Sequence, residues 1–148
     1  MGAVETFKGV VVTGVIGEDV HIVGIRVIEH ALRNAGFKVV SLGIHNQDKD
    51  FIEAAVESKA DVIMVSSLAG HARLLVNELR DKCEESGLKD VLLYLGGHLT
   101  IDDANWEDTE KLFEGMGFSR VFPPFALPDA IIEVLEADLK PRRPNRGY

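Results

Sequence analysis

Short apolar runs and amphipathic segments alternate along the whole chain, and this alternation predicts its elements. Val10-Val11-Val12-Thr13-Gly14-Val15-Ile16 is nearly continuous and rich in β-branched residues, the pattern of a strand buried on both faces of a parallel sheet, and Gly17 ends it. Across residues 22–35 the apolar positions Ile25, Ile28, Leu32 and Ala35 recur at three- and four-residue spacing, with Gly36 where a glycine terminates a helix. The unit then repeats. Residues 38–42 predict a second strand, residues 48–58 a helix burying Phe51, Ile52, Ala55 and Val56, and residues 61–66 a third strand. Residues 71–86 predict a helix with Leu75, Leu79 and Cys83 inward, closed by Gly87, and residues 91–95 a fourth strand ending at Gly96-Gly97. Residues 108–116 have a helical pattern, 120–122 form a short fifth strand, and 128–139 a last helix with Pro128 at its first position.

Five β/α units with short connections imply an α/β fold, a single doubly wound five-stranded parallel sheet reached through right-handed crossovers. The usual strand order at this size is 2-1-3-4-5, the flavodoxin-like (Rossmann-like) arrangement, which binds ligands at the carboxyl ends of its strands where the order reverses, between strands 1 and 3. The segments to inspect are therefore residues 17–24, 66–70 and 96–100.

Composition narrows the function. A length of 148 residues suits one domain, assigned to residues 1–140, followed by a basic tail, residues 141–148, with Arg142, Arg143, Arg146 and two prolines, expected to be disordered. A net charge of −8 argues against nucleic acid as a partner, because phosphate binding needs clustered Lys and Arg. The single cysteine, Cys83, excludes an internal disulfide and suits a reducing compartment. Residues 1–7 lack the basic and apolar regions of a signal peptide, and no run of 18 apolar residues occurs. A cytoplasmic protein without a membrane partner is the expectation.

Several common chemistries of this fold lose ground at the first loop. Neither G-x-G-x-x-G nor G-x-x-x-x-G-K-[ST] is present, and Glu18 and Asp19 would repel a phosphate. A receiver domain would need an aspartate after strand 3, where the chain has Ser66-Ser67-Leu68. What the loop offers instead is Asp19-Val20-His21-Ile22-Val23-Gly24. In an extended loop a carboxylate and an imidazole two residues apart point the same way, so Asp19 can take one ring N–H and leave the other nitrogen free for a metal. Zinc would require three or four protein ligands, so one supported histidine suits a metal already held by a macrocycle. A surface Asp–His pair or a helix cap is the plainer alternative. Ser66-Ser67-Leu68-Ala69-Gly70 and Gly96-Gly97 add hydroxyls, small residues and backbone access at the same predicted edge. Taken singly these are helix caps and a turn; together they favour a ligand.

Asp19-x-His21-x-x-Gly24, Ser66-x-Leu68 and Gly96-Gly97 resemble the signature of cobalamin-binding domains that take the cofactor with its own base displaced. Val15-Ile16-Gly17, His30-Ala31-x-x-Asn34-Ala35-Gly36-Phe37-x-Val39-Val40, Ser66-Ser67-Leu68 and Leu92-Leu93-Tyr94-x-Gly96-Gly97 further resemble the small subunits of glutamate mutase (methylaspartate mutase), over roughly residues 8–139. The likeness lapses around Ala69, His71, Ala72 and Arg73. It implies His21 as the axial ligand to cobalt, Asp19 bonded to its other nitrogen, and Gly24 at a helix start close to the displaced nucleotide tail. Ser66 and Leu68 would line the slot for that tail between strands 1 and 3, and Gly96 and Gly97 would open the floor under the corrin. Glu18, Val20, Ile22, Ser67, His98, Leu99 and Thr100 are contacts by position. The resemblance also implies adenosylcobalamin (coenzyme B12) as cofactor and an isomerase that interconverts L-glutamate and threo-3-methylaspartate by a radical carbon-skeleton rearrangement. The partner would be a separate large barrel subunit, two copies of each chain, and no titratable catalytic residue is assigned to this chain. The alternatives are the cobalamin-binding subunit of another mutase, or a corrinoid carrier for methyl transfer. Carriers of that kind usually bear a helical bundle ahead of the domain, whereas here the first strand begins near Lys8.

Overall fold

A computed structural model describes residues 7–16, 23–67, 76–97, 99, 105–124 and 126–140. The five expected strands form one sheet: β1 (Val10–Val15), β2 (Lys38–Ser41), β3 (Val62–Ser66), β4 (Leu92–Gly96) and β5 (Arg120–Val121). All neighbours are parallel, in the order β2-β1-β3-β4-β5, so the expected flavodoxin-like topology is the observed one. Among the described residues five helices cover the sheet: α1 (Val23–Asn34), α2 (Asp48–Ser58), α3 (Leu79–Glu85), α4 (Trp106–Gly115) and α5 (Pro128–Leu139). None of them is long and apolar enough to cross a membrane. The tail, residues 141–148, and the first part of the expected helix 71–86 lie outside the described residues.

Strand alternation divides the core into two layers. Val11, Val62, Met64 and Tyr94 face α1 and α5, where Leu32, Ile131, Ile132 and Leu135 pack against them. Val12, Ile63, Val65, Leu93 and Leu95 face the other way, onto Phe51, Ile52, Leu79, Cys83 and Phe113 of α2, α3 and α4. Local chemistry sets the helix ends. The Asn105 Oδ1 accepts from the Asp108 N–H at 3.0 Å and caps α4, which therefore starts at Trp106, two residues before the hydrophobic pattern suggests. The Asp50 carboxylate accepts from the Gln47 N–H at 2.8 Å at the start of α2.

One expectation about the core needs correcting, and one feature of it went unread. Val56 was expected inward but is 48% exposed, because α2 turns Phe51, Ile52 and Ala55 to the sheet and carries Val56 past that face. On α1 the centre of the buried face is not apolar: Glu29, between Ile25 and Leu32, is only 1% exposed.

Candidate functional site

The site is built from strand ends. β3 ends at Ser66 and β4 at Gly96, and the two residues are paired across the ladder. The Ser67 N–H donates to the Gly96 carbonyl at 3.0 Å and extends the pairing one residue further. Gly97 then takes a φ of +110°, a conformation that glycine adopts without the steric penalty of a side chain. Beyond the edge, α1 brings Gly24 into its first turn, and a Cβ there would meet nothing within 4 Å.

Between these strand ends and the α1/α5 layer lies a slot of about 210 Å³. Gly24, Ile25 and Ile28 form its α1 wall, Met64, Ser66, Tyr94, Gly96 and Gly97 its sheet wall, and Phe122, Pro123, Ala126 and Ile131 its far side. The lining is mainly apolar, with the Ser66 hydroxyl and backbone at Gly96 and Gly97 as polar features, the usual make-up of a small-molecule site. The far wall is braced. The Tyr94 and Phe122 rings lie 5.5 Å apart at 58°, and the Tyr94 hydroxyl donates to Asp138 Oδ2 at 2.5 Å. Arg120 donates to the same carboxylate through Nε at 3.1 Å and Nη2 at 2.9 Å, tying β4, β5 and α5 together. Burial, then the Asp138 carboxylate, push the Tyr94 phenol well above its ordinary range, so it stands as a neutral donor. Bonding to Asp138 likewise raises the Arg120 guanidinium.

Of the residues expected at the site, Gly24, Ser66, Gly96 and Gly97 are brought together on this one slot. Among the described residues its sheet wall comes from β3 and β4, one strand beyond the β1/β3 junction where the topology rule puts the crevice. Leu99 is part of the opposite core layer, 3% exposed, and does not line the slot. Ser67 does not line it either; it is buried, and its hydroxyl has no hydrogen-bond partner among the described residues. Glu18, Asp19, Val20, His21, Ile22, Leu68, His98 and Thr100 lie outside the described residues. Sequence reasoning missed Tyr94, Phe122, Pro123 and Ile131. The alternation within β4 was signal enough for Tyr94, since it pairs with Met64 and so faces the α1/α5 layer.

A parallel sheet of this order with an apolar slot at its carboxyl edge defines a class, and residues 9–117 match the B12 binding domain family. The chain is 46% identical over 133 residues to the glutamate mutase sigma subunit of Clostridium tetanomorphum, covering 90% of this chain and 94% of that one. It is also 46% identical over 128 residues to the glutamate mutase sigma subunit of Carboxydothermus hydrogenoformans, covering 86% and 93%. The chain belongs to the glutamate mutase sigma subunit family, within the B12-binding domains. Among solved structures it is similar in fold to the monomethylamine corrinoid protein of Methanosarcina barkeri, with a TM-score of 0.73 at 23% identity over 88% of this chain and 58% of that one.

The residues present fit that cofactor. A flat heteroaromatic base has apolar faces and a few polar edge atoms; the slot presents Ile25, Ile28, Met64, Tyr94 and Phe122 to such faces and the Ser66 hydroxyl to an edge. Gly24 brings no side chain to the α1 wall, where a Cβ would meet nothing within 4 Å.

Proposed function

We propose that this chain is the cobalamin-binding subunit of an adenosylcobalamin-dependent glutamate mutase, the isomerase that interconverts L-glutamate and threo-3-methylaspartate. The observation that carries the reading is the slot in which Gly24, Ser66, Gly96 and Gly97 meet, in a chain of the glutamate mutase sigma subunit family. Residues 1–140 make up the cobalamin-binding domain.

In this reading His21 would hold the cobalt of the cofactor, and Asp19 would accept from its other ring nitrogen and so fix the tautomer and orientation of the ring. The slot would hold the displaced nucleotide base, with Ser66 offering a hydroxyl to its polar edge and the apolar walls excluding water, while the Tyr94–Asp138–Arg120 brace keeps the far wall fixed. Bound adenosylcobalamin supplies the radical chemistry of the carbon-skeleton rearrangement. The chain itself contributes binding and orientation, and no proton transfer is assigned to it. The substrate site belongs to a large barrel subunit docked on the carboxyl edge of the sheet, two copies of each chain completing the enzyme.

The test is a visible absorption titration of the purified chain with hydroxocobalamin and adenosylcobalamin, repeated with His21→Gly and with the large subunit added. The expected result is a change to the base-off, histidine-ligated spectrum that His21→Gly abolishes, together with methylaspartate formation only when the large subunit is present. An unchanged spectrum with and without the large subunit would overturn the reading. Spectral binding with methyl transfer in place of mutase activity would make the chain a corrinoid carrier.

A further inference from the structure

The buried face of α1 carries a carboxylate where packing alone calls for a hydrocarbon. Ile25, Glu29 and Leu32 follow one another at i, i+4 and i+7 and are 3%, 1% and 0% exposed, so Glu29 sits at the centre of the helix's contact with the sheet. Its Oε2 accepts from the hydroxyl of Thr13, itself fully buried on β1, at 2.5 Å. Its Oε1 accepts from Arg26 Nη1 at 3.3 Å, and the same nitrogen lies 3.5 Å from the Ser41 hydroxyl of β2. A buried carboxylate loses hydration that these bonds only partly restore, and an apolar pair of similar volume would commonly hold the helix as well or better. Stability does not account for the choice.

Register does. Apolar side chains on a helix can roll or slide over a strand with little change in contact energy, whereas one carboxylate facing one hydroxyl has a single good position. The residues whose position this sets are those of the slot. Gly24, Ile25 and Ile28 lie within five residues of Glu29 on the same rigid helix and make up the slot's α1 wall. A slip of one turn would move that wall by about 5.4 Å along the helix axis, and even a partial roll would turn Ile28 into or out of the slot.

We infer that Glu29, held by Thr13, is a positioning residue for the cofactor site: it fixes the register of α1 on β1 and so the distance between the α1 wall and the strand ends. The inference rests on the cobalamin-binding reading above for its ligand, and it is tested separately from it. In the double variant Thr13→Val with Glu29→Leu, both polar partners become apolar groups of similar shape, a replacement that leaves a fold nearly neutral in stability or more stable. Its thermal midpoint without cofactor should stay at or above wild type, yet hydroxocobalamin, titrated by visible absorption, should bind roughly tenfold more weakly or worse, the scale seen when an orienting partner is lost. The amide resonances of Gly24, Ile25 and Ile28 should also move in the cofactor-free protein, a readout that needs no ligand. Glu29→Gln keeps an acceptor for Thr13 and should bind within about threefold of wild type with those resonances in place.

Wild-type affinity and unmoved resonances in the double variant would overturn the inference, as would weakening by Glu29→Gln equal to that of the double variant. If the double variant fails to fold, Thr13→Val alone decides by the same two readouts. A wild-type chain that binds no cobalamin sinks the proposed function instead, and the resonances then still accept or reject the register claim.

Discussion

Gly97 lies so close to Ser67 that a Cβ at position 97 would stand 2.0 Å from the Ser67 carbonyl oxygen. That oxygen is backbone and cannot swing aside, and the φ of +110° at Gly97 is itself a conformation that side chains rarely adopt. Gly97→Ala should therefore destabilise the fold by about 2–4 kcal/mol, among the larger single-residue effects expected in a chain of this size. Gly96→Ala is the control: its nearest contact would be the Phe122 Cβ at 3.9 Å, ordinary packing, and its loss should stay below about 1 kcal/mol. Urea unfolding of both variants measures the difference; equal losses would show that the contact at Gly97 relaxes.

Gly24 presents the opposite case. It is helical, and a Cβ there meets nothing within 4 Å, so Gly24→Ala should raise the stability of the cofactor-free chain by about 0.5–1 kcal/mol through helix propensity. Gly24 itself lines the α1 wall of the slot, so the added methyl group should lower cobalamin affinity. Thermal unfolding without cofactor and absorption titration with it separate the two effects. A variant that is more stable and binds as well as wild type would show that Gly24 leaves spare room.

Most of the fold was legible because its signals are periodic. The β-branched runs 10–16 and 61–66 and the glycines that follow the helices, Gly36 and Gly87, locate elements whose order a parallel α/β fold then largely dictates. The slot was legible only in part. Gly24, Ser66, Gly96 and Gly97 stand at strand and helix ends, where topology brings ligands, but its far wall is made of Phe122, Pro123 and Ile131, which look like ordinary packing residues. They reach the slot through the β4–β5 pairing and the return of α5, contacts that local patterns do not encode. Glu29 escaped for a different reason. A periodicity that counts apolar positions skips a charged residue on the buried face, and its partner Thr13 passes as one more β-branched strand residue.

Cys83 makes stability depend on alkaline pH. The thiol is fully buried in the α2–α4 layer, and burial pushes its pKa from 9.0 to about 11. The folded state therefore keeps a proton that the unfolded chain releases. Its contribution is complete below pH 9 and is lost as pH rises toward 11, for a total of roughly 2–3 kcal/mol. Tyr94, also raised, adds a second loss that begins only near pH 10, the ordinary value of its phenol. Wild-type stability, read from urea midpoints, should thus start to fall at about pH 9, whereas Cys83→Ala should be less stable at neutral pH but hold its value to about pH 10. Parallel profiles for the two proteins between pH 9 and 10 would rule out the thiol as the cause.

The brace behind the slot allows its partners to be tested one at a time. Tyr94→Phe removes the donor to Asp138 Oδ2 but leaves the ring against Phe122 and leaves Arg120 on both carboxylate oxygens, so no charge is stranded. The expected loss is about 1 kcal/mol, with cobalamin affinity close to wild type, because the slot keeps its aromatic wall. Asp138→Ala takes away the acceptor that both Tyr94 and Arg120 use and leaves a buried phenol without this partner, so it should cost about 1–3 kcal/mol more than Tyr94→Phe. It also loosens α5 from β4 and β5, the elements that carry Ile131 and Phe122 to the slot, so its affinity for cobalamin should fall where that of Tyr94→Phe does not. Thermal unfolding and absorption titration of the two variants side by side decide the matter. If Asp138→Ala retains full affinity, the slot draws its rigidity from apolar packing, and the brace serves stability alone.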